Sequence, residues 1–216
     1  MGQIIKFPVR AAKFGYKRVP KRARNEDPAQ LHLFTQATAQ VLHLAPELGL
    51  FEYALMLDEQ GDPRAVDVYL KAILEQDCAA DAHCNLGIIE SKQGKTAKAF
   101  DCFTSCLKLV PRHFEAHFNL GNLYFEKNDF RLAQLHYEIA AEVDPSFPNV
   151  YFNLGLVLSI INEFDAAITA LTKYRTMVPA NEWRNADELL ENLKKSLAAR
   201  KNSLEDLKLR PRHPSV

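Results

Sequence analysis

The sequence predicts an all-α protein built as a row of helix hairpins, each stacked on the next. Three observations predict it. The pair Leu86-Gly87 returns as Leu120-Gly121 and again as Leu154-Gly155, an interval of 34 residues. Ala99, Ala133 and Ala167 keep the same interval, and so do Pro111, Pro145 and Pro179, with no gap in any copy. A fixed period of about 20–50 residues marks a repeat architecture, in which each unit covers its neighbour's apolar face.

The elements follow in order. Residues 1–25 carry Lys6, Arg10, Lys13, Lys17, Arg18, Lys21, Arg22 and Arg24 and no acid. The whole chain balances 27 basic against 27 acidic residues, so removing these eight leaves the remainder near −8. Residues 1–26 are therefore expected to be a basic, disordered arm. Phe7, Phe14 and Tyr16 interleave its charges, so its possible roles are a solvated tail, weak contact with nucleic acid through residues 6–24, docking on anionic lipid, or contact with a partner or the acidic body.

Asp27-Pro28 supplies a helix start, an N-cap followed by a first-turn proline. Phe34, Ala37, Val41 and Leu44 then share one helical face, which predicts a flanking helix or degenerate half repeat over 27–47. Four repeats are expected over 48–179. Gly87, Gly121 and Gly155 are small where two helices of one copy cross, and Ala99, Ala133 and Ala167 are their small counterparts. Phe103 and Tyr137 fill the space between copies. Gly94, Asn128 and Asn162 mark tight turns that favour a left-handed backbone. The first copy is weaker, with Ala54 in the small slot, Gly61 in the turn, and Asp77 where the others close with proline. From an Asn181 cap, Trp183, Ala186, Leu190, Leu193 and Leu197 predict a capping helix over 180–202, with a disordered tail over 203–216.

The stretches HCNLGIIE at 83–90, HFNLGNLY at 117–124 and YFNLGLVL at 151–158, with the alanines and prolines that follow, resemble the tetratricopeptide-repeat (TPR) family over residues 48–179. The resemblance implies a right-handed α-solenoid of TPR hairpins between a flanking N-terminal helix and a C-terminal cap. It also implies a concave groove lined by the first helix of each hairpin. Carried over slot by slot, the groove would present Phe51, Leu55, Ile88, Phe118, Asn122, Phe125, Phe152 and Leu156. Beside them runs a row of amides, Asn85, Asn119 and Asn153. Two readings of the row stand open. An amide donates and accepts at once and so can pair with any peptide backbone, or it can simply bond the neighbouring helix. Phe118 and Phe152 likewise either wait for a ligand or pack between helices.

Members of the family that clamp the acidic tails of heat-shock chaperones place Lys and Arg on the first helix of the third repeat. Glu115 and Asn119 stand there in this chain, so that ligand is not expected. Function is therefore expected to be a protein-interaction adaptor or scaffold holding a peptide or protein segment in the groove. The alternatives are a nucleic-acid-associated regulator using the arm, and a structural subunit of an assembly.

No catalytic residue, metal site or cofactor is expected. Cys102 and Cys106, like His113 and His117, have the i, i+4 spacing that suits zinc, but Cys106 falls in the small packing slot that Ala140 fills in the next copy. His117 likewise stands at an aromatic slot. The sequence holds no phosphate loop, dinucleotide fingerprint or nucleophile elbow. Four cysteines within helices and turns suit reduced thiols, and no apolar run reaches the length of a membrane span, so a cytoplasmic protein is expected.

Overall fold

The computed structural model describes residues 48–209, with side chains described through residue 200. The predicted arm, the flanking helix over 27–47 and residues 210–216 lie outside the described residues. Among the described residues nine α-helices follow one another. They are α1 (Leu50–Glu59), α2 (Ala65–Leu74), α3 (Ala79–Lys92), α4 (Thr96–Leu109), α5 (Phe114–Glu126), α6 (Phe130–Val143), α7 (Pro148–Ile160), α8 (Phe164–Met177) and α9 (Arg184–Leu209). A single 3-10 turn at Ala180–Glu182 leads into α9. Helices pair within hairpins α1–α2, α3–α4, α5–α6 and α7–α8, each hairpin packs on the next, and α9 closes against α8. The result is the predicted all-α solenoid.

Small residues let the two helices of each hairpin touch. A Cβ placed on Gly121 would stand 2.5 Å from Cε1 of Tyr137, and one on Gly155 would stand 2.6 Å from Cγ of Leu171. The turns between paired helices pass through the left-handed region at Gly94 (φ 75°), Asn128 (φ 61°) and Asn162 (φ 63°), the three positions read from the sequence. Glycine meets no penalty there, and asparagine tolerates it better than most residues.

Proline closes three of the hairpins. Val110, Asp144 and Val178, each just before a proline, are extended, so α4, α6 and α8 end beside them. The first hairpin lacks that proline. There the chain leaves α2 through two left-handed residues, Gln76 (φ 59°) and Cys78 (φ 49°). Asp77 sits between them and accepts a hydrogen bond from the Phe51 amide at 2.9 Å, which ties the start of α1 to the end of α2.

The cap differs from its expected limits. Its helix begins at Arg184 rather than 180 and continues to Leu209, into the stretch expected as tail. The run SLEDLK at 203–208 consists mostly of good helix formers, and Pro211 is the first residue past 202 that opposes a helix. Ala186, Leu189, Leu190 and Leu193 bury against Phe152, Leu171 and Tyr174, so α9 covers the last apolar face of the stack.

Candidate functional site

Two kinds of helix make the array. The second helices bury a narrow stripe, as in α4 (Ala99, Phe103, Cys106) and α6 (Ala133, Tyr137, Ala140). The first helices are buried on several sides, and in α5 every residue from Phe114 to Leu123 is buried. The predicted groove residues lie on these first helices, and their environment corrects the expected aromatic wall.

Phe51, Phe118 and Phe152 are closed inside the stack, at 1%, 1% and 7% exposure. Each ring has an aromatic partner on the second helix of its own hairpin. Phe51 meets Tyr69 at 6.0 Å between centroids, Phe118 meets Tyr137 at 6.0 Å, and Phe152 meets Tyr174 at 5.2 Å. Phe118 also meets Phe147 edge-on at 5.4 Å. Leu55, Ile88 and Leu156 are buried beside them. These side chains hold the hairpins together, because a ring at that slot reaches across the hairpin to its partner helix. Phe125 alone among the predicted rings is half-buried, edge-on to Phe130 at 5.7 Å.

The amide row splits. Asn85 Nδ2 donates to the Tyr69 hydroxyl at 3.2 Å. Asn153 Nδ2 donates to Asn122 Oδ1 at 3.0 Å and to the Tyr137 hydroxyl at 3.4 Å, and that hydroxyl in turn donates to Asn122 Oδ1 at 2.7 Å. In both cases an asparagine is bonded by the tyrosine 16 residues before it, on the preceding hairpin. Burial raises the Tyr69 pKa to about 12 and raises that of Tyr137 further, so both hydroxyls keep their protons. For Asn85 and Asn153 the packing reading holds.

Asn119 breaks the pattern. Sixteen residues before it stands Phe103, which has a ring of the same shape and no hydroxyl. Asn119 is 0% exposed, and neither its Oδ1 nor its Nδ2 has a hydrogen-bond partner. Asn122 Nδ2 is also buried and unpaired. Leaving buried polar atoms unpaired costs about 1–3 kcal/mol each, so three such atoms on one helix ask for an explanation.

Charge gathers on the same face. Glu115, Asn119 and Asn122 fall at i, i+4 and i+7 of α5. Asp81 occupies the slot on α3 that Glu115 occupies on α5, and His113 sits between the two. Its Nε2 is 3.1 Å from Asp81 Oδ1 and its Nδ1 is 3.2 Å from Glu115 Oε2. Burial works to lower the His113 pKa, but the hydrogen bonds from Asp81 and Cys106 and the charge of Glu115 outweigh it and push the value up to about 10. His113 is thus an imidazolium donating from both nitrogens, which excludes the alternative in which Nδ1 accepts from the Ala116 amide. One imidazolium between two carboxylates leaves the cluster with a net negative charge.

The residues with zinc-like spacing part ways here. His113 serves the two carboxylates, while His117 Nε2 donates to the Pro111 carbonyl at 3.0 Å and its Nδ1 lies 2.9 Å from Nδ1 of His136. Cys106 packs in its small slot with Cys84 in one buried cluster. Sequence reasoning used Glu115 only to argue a ligand away and passed over Asp81 and His113. The i, i+4 step from Glu115 to Asn119 was the available clue.

Residues 84–130 match the tetratricopeptide repeat family and residues 121–159 match the TPR repeat family. The chain is a tetratricopeptide-repeat protein. This TPR chain is similar to human tetratricopeptide repeat protein 6, 25% identical over 110 residues that make up 51% of this chain and 21% of that protein. It is 29% identical over 116 residues to the Caenorhabditis elegans tetratricopeptide repeat-containing protein trd-1, covering 54% of this chain and 15% of that one. A third relative is the Giardia intestinalis UDP-N-acetylglucosamine–peptide N-acetylglucosaminyltransferase, 25% identical over 96 residues, or 44% of this chain and 6% of the enzyme. The TPR chain thus spans about a fifth or less of the curated relatives it matches.

Solved structures share the fold. The first TPR of Spaghetti (RPAP3), bound to the HSP90 peptide SRMEEVD, matches with a TM-score of 0.51 and 23% identity over 55% of this chain and 93% of that one. The MamA RS-1 ArsTM double mutant matches with a TM-score of 0.54 and 18% identity over 70% and 94%. No described helix is long and apolar enough to cross a membrane.

Proposed function

We propose that this TPR protein is an adaptor that holds an extended basic segment of another protein where α3 and α5 meet on the concave side. Asp81 and Glu115 supply the charge. Asn119 and the free Nδ2 of Asn122 supply donors and an acceptor for the segment's backbone. The observation that carries the reading is Asn119, enclosed and unpaired, while Asn85 and Asn153 in the equivalent slots bond a tyrosine. A peptide backbone carries the complementary carbonyl and amide at every residue, so it fits an amide without demanding a sequence.

The similar Spaghetti domain is described with a peptide that holds three acidic residues and one arginine. Here the third-repeat slot holds Glu115, so the fold supports peptide holding while the local charge favours the opposite ligand. The role proposed is binding. The transferase match covers 6% of that enzyme and supports no activity for this chain.

Selection from a random peptide library displayed against the full chain tests this. Lys- and Arg-rich peptides should emerge, and both Glu115→Gln and Asn119→Ala should weaken them about tenfold or more by calorimetry with the helical circular dichroism unchanged. Recovery of acidic or apolar peptides, or binding indifferent to Asn119→Ala, overturns the reading.

A further inference from the structure

We infer that residues 6–24 of this same chain occupy the Asp81–Glu115–Asn119 site, so that the arm is a built-in competitor for the segment the site would otherwise hold. This rests on the adaptor reading of the same site. Four observations on the molecule lead to it.

The first is charge. Residues 1–25 hold eight basic residues and no acid, against a remainder near −8. Within the described stack, Asp81 and Glu115 stand in equivalent slots of neighbouring first helices, and a single imidazolium leaves them short of one positive charge. The second is hydrogen bonding. Asn119 lies on the helical face of Glu115, one turn away, fully buried, with a donor and an acceptor both unused. An acidic cluster alone would attract solvent ions, whereas an enclosed amide with nothing to bond points to a polymer backbone laid across it.

The third is reach. First helices of adjacent hairpins sit about 8–10 Å apart, so α5 lies roughly 20 Å from α1. Residues 25–47 separate the arm from the described start of the stack, and 23 residues span about 35 Å even when wound as a helix, and more when extended. The fourth is composition. Residues 17–24 read KRVPKRAR, and Pro20 bars a helix through that stretch, so its backbone amides and carbonyls remain available for outside partners.

Tethering decides the consequence. A segment linked by a short flexible chain experiences an effective concentration in the millimolar range, so even weak intrinsic affinity fills the site. An arm that occupies the site nine-tenths of the time lowers the apparent affinity for an outside segment about tenfold. The contact is electrostatic at an exposed rim, so salt weakens it, the Debye length being about 8 Å at physiological ionic strength.

The test places the photo-crosslinking amino acid p-benzoylphenylalanine at Phe14 of the full chain and maps the adducts by mass spectrometry. Crosslinks within one chain to α3 or α5, with a yield independent of protein concentration and several-fold lower in 1 M salt, are the expected result. Adducts on the outer helices α2, α4 or α6, adducts between chains, or no adducts overturn the inference. A second variant leaves the folded body untouched: Lys17, Arg18, Lys21, Arg22 and Arg24 are each changed to Gln. A library-selected basic peptide should then bind about tenfold tighter, and an unchanged affinity also overturns the inference. The two readings fail separately. Peptide binding that depends on Asn119 with an arm crosslinked elsewhere leaves the adaptor and removes the competitor. An arm crosslinked to α5 in a chain that selects no peptide leaves the arm docked and removes the adaptor.

Discussion

The seam between the second and third hairpins differs from those on either side by one oxygen atom. In the first seam Tyr69 meets Asn85, and in the third Tyr137 meets Asn153 and Asn122. The middle seam sets Phe103 against Asn119. All three share the 16-residue spacing and a buried aromatic ring. Only the middle one leaves its amide unpaired, and it is also the one flanked by Glu115, His113 and Asp81. A repeat can therefore keep its packing while releasing a single polar group from structural duty.

The largest effect expected comes from the steric slot that all seams rely on. Gly121→Ala drives a methyl to 2.5 Å from the Tyr137 ring, and overpacking of that kind costs about 2–3 kcal/mol. Thermal unfolding should show a melting temperature lower by several degrees; an unchanged value would mean that α5 and α6 shift apart freely. Next, Tyr137→Phe converts the third seam into a copy of the middle one. It removes a hydroxyl that serves two amides, but Asn153 still bonds Asn122, so about 1–1.5 kcal/mol should be lost by urea unfolding.

The reverse change sharpens the comparison. Phe103→Tyr offers Asn119 the hydroxyl it lacks and should stabilise the chain by about 1 kcal/mol while weakening the selected basic peptide. Stabilisation with no effect on the peptide would confine Asn119 to packing. The smallest effect belongs to Asn119→Ala, which should stay within about 0.5 kcal/mol, because the amide has no bond to lose, whereas Asn85→Ala should cost about 1 kcal/mol.

The middle of the array also carries the titrating groups. Burial lowers the pKa of His136 to about 4, with a further push from His117, and burial lowers that of His117 as well. Both are held neutral. His117 donates through Nε2 to Pro111, so His136 donates the proton shared by the two Nδ1 atoms. A histidine whose folded pKa lies below its unfolded value of about 6.5 stabilises fully above that pH and loses its contribution as pH falls towards 4. His113 has the opposite sign, contributing fully below 6.5 and fading as pH rises through about 10. Melting temperature should thus decline between pH 6.5 and 4, and His136→Phe should flatten that limb while leaving the alkaline limb in place.

The fold was legible because its markers are steric. A glycine where helices cross, a proline after a helix and an asparagine in a left-handed turn each act locally, and all recur every 34 residues. The site was less legible because a slot fixes which side of a helix a residue takes, not what waits opposite. Phe118 was placed on the correct helix, yet its exposure depended on Tyr137, Phe114 and Phe147 arriving around it. Asn119 carried the same letter as Asn85 and Asn153, and its different fate was written 16 residues earlier, in Phe103. Reading pairs across hairpins rather than columns down the repeat would have found it.

The first hairpin is the slightest of the stack: α1 and α2 have 10 residues each, against 13 or 14 in α3 to α8. It also ends on an aspartate instead of a proline. In a stack whose units touch only their neighbours, unravelling starts at the weakest terminus and travels inward. Hydrogen exchange should therefore be fastest in α1 and α2 and slowest in α5 and α6. Whatever grips the molecule near its middle would then be released last as the array is pulled or heated, long after its leading end has come undone.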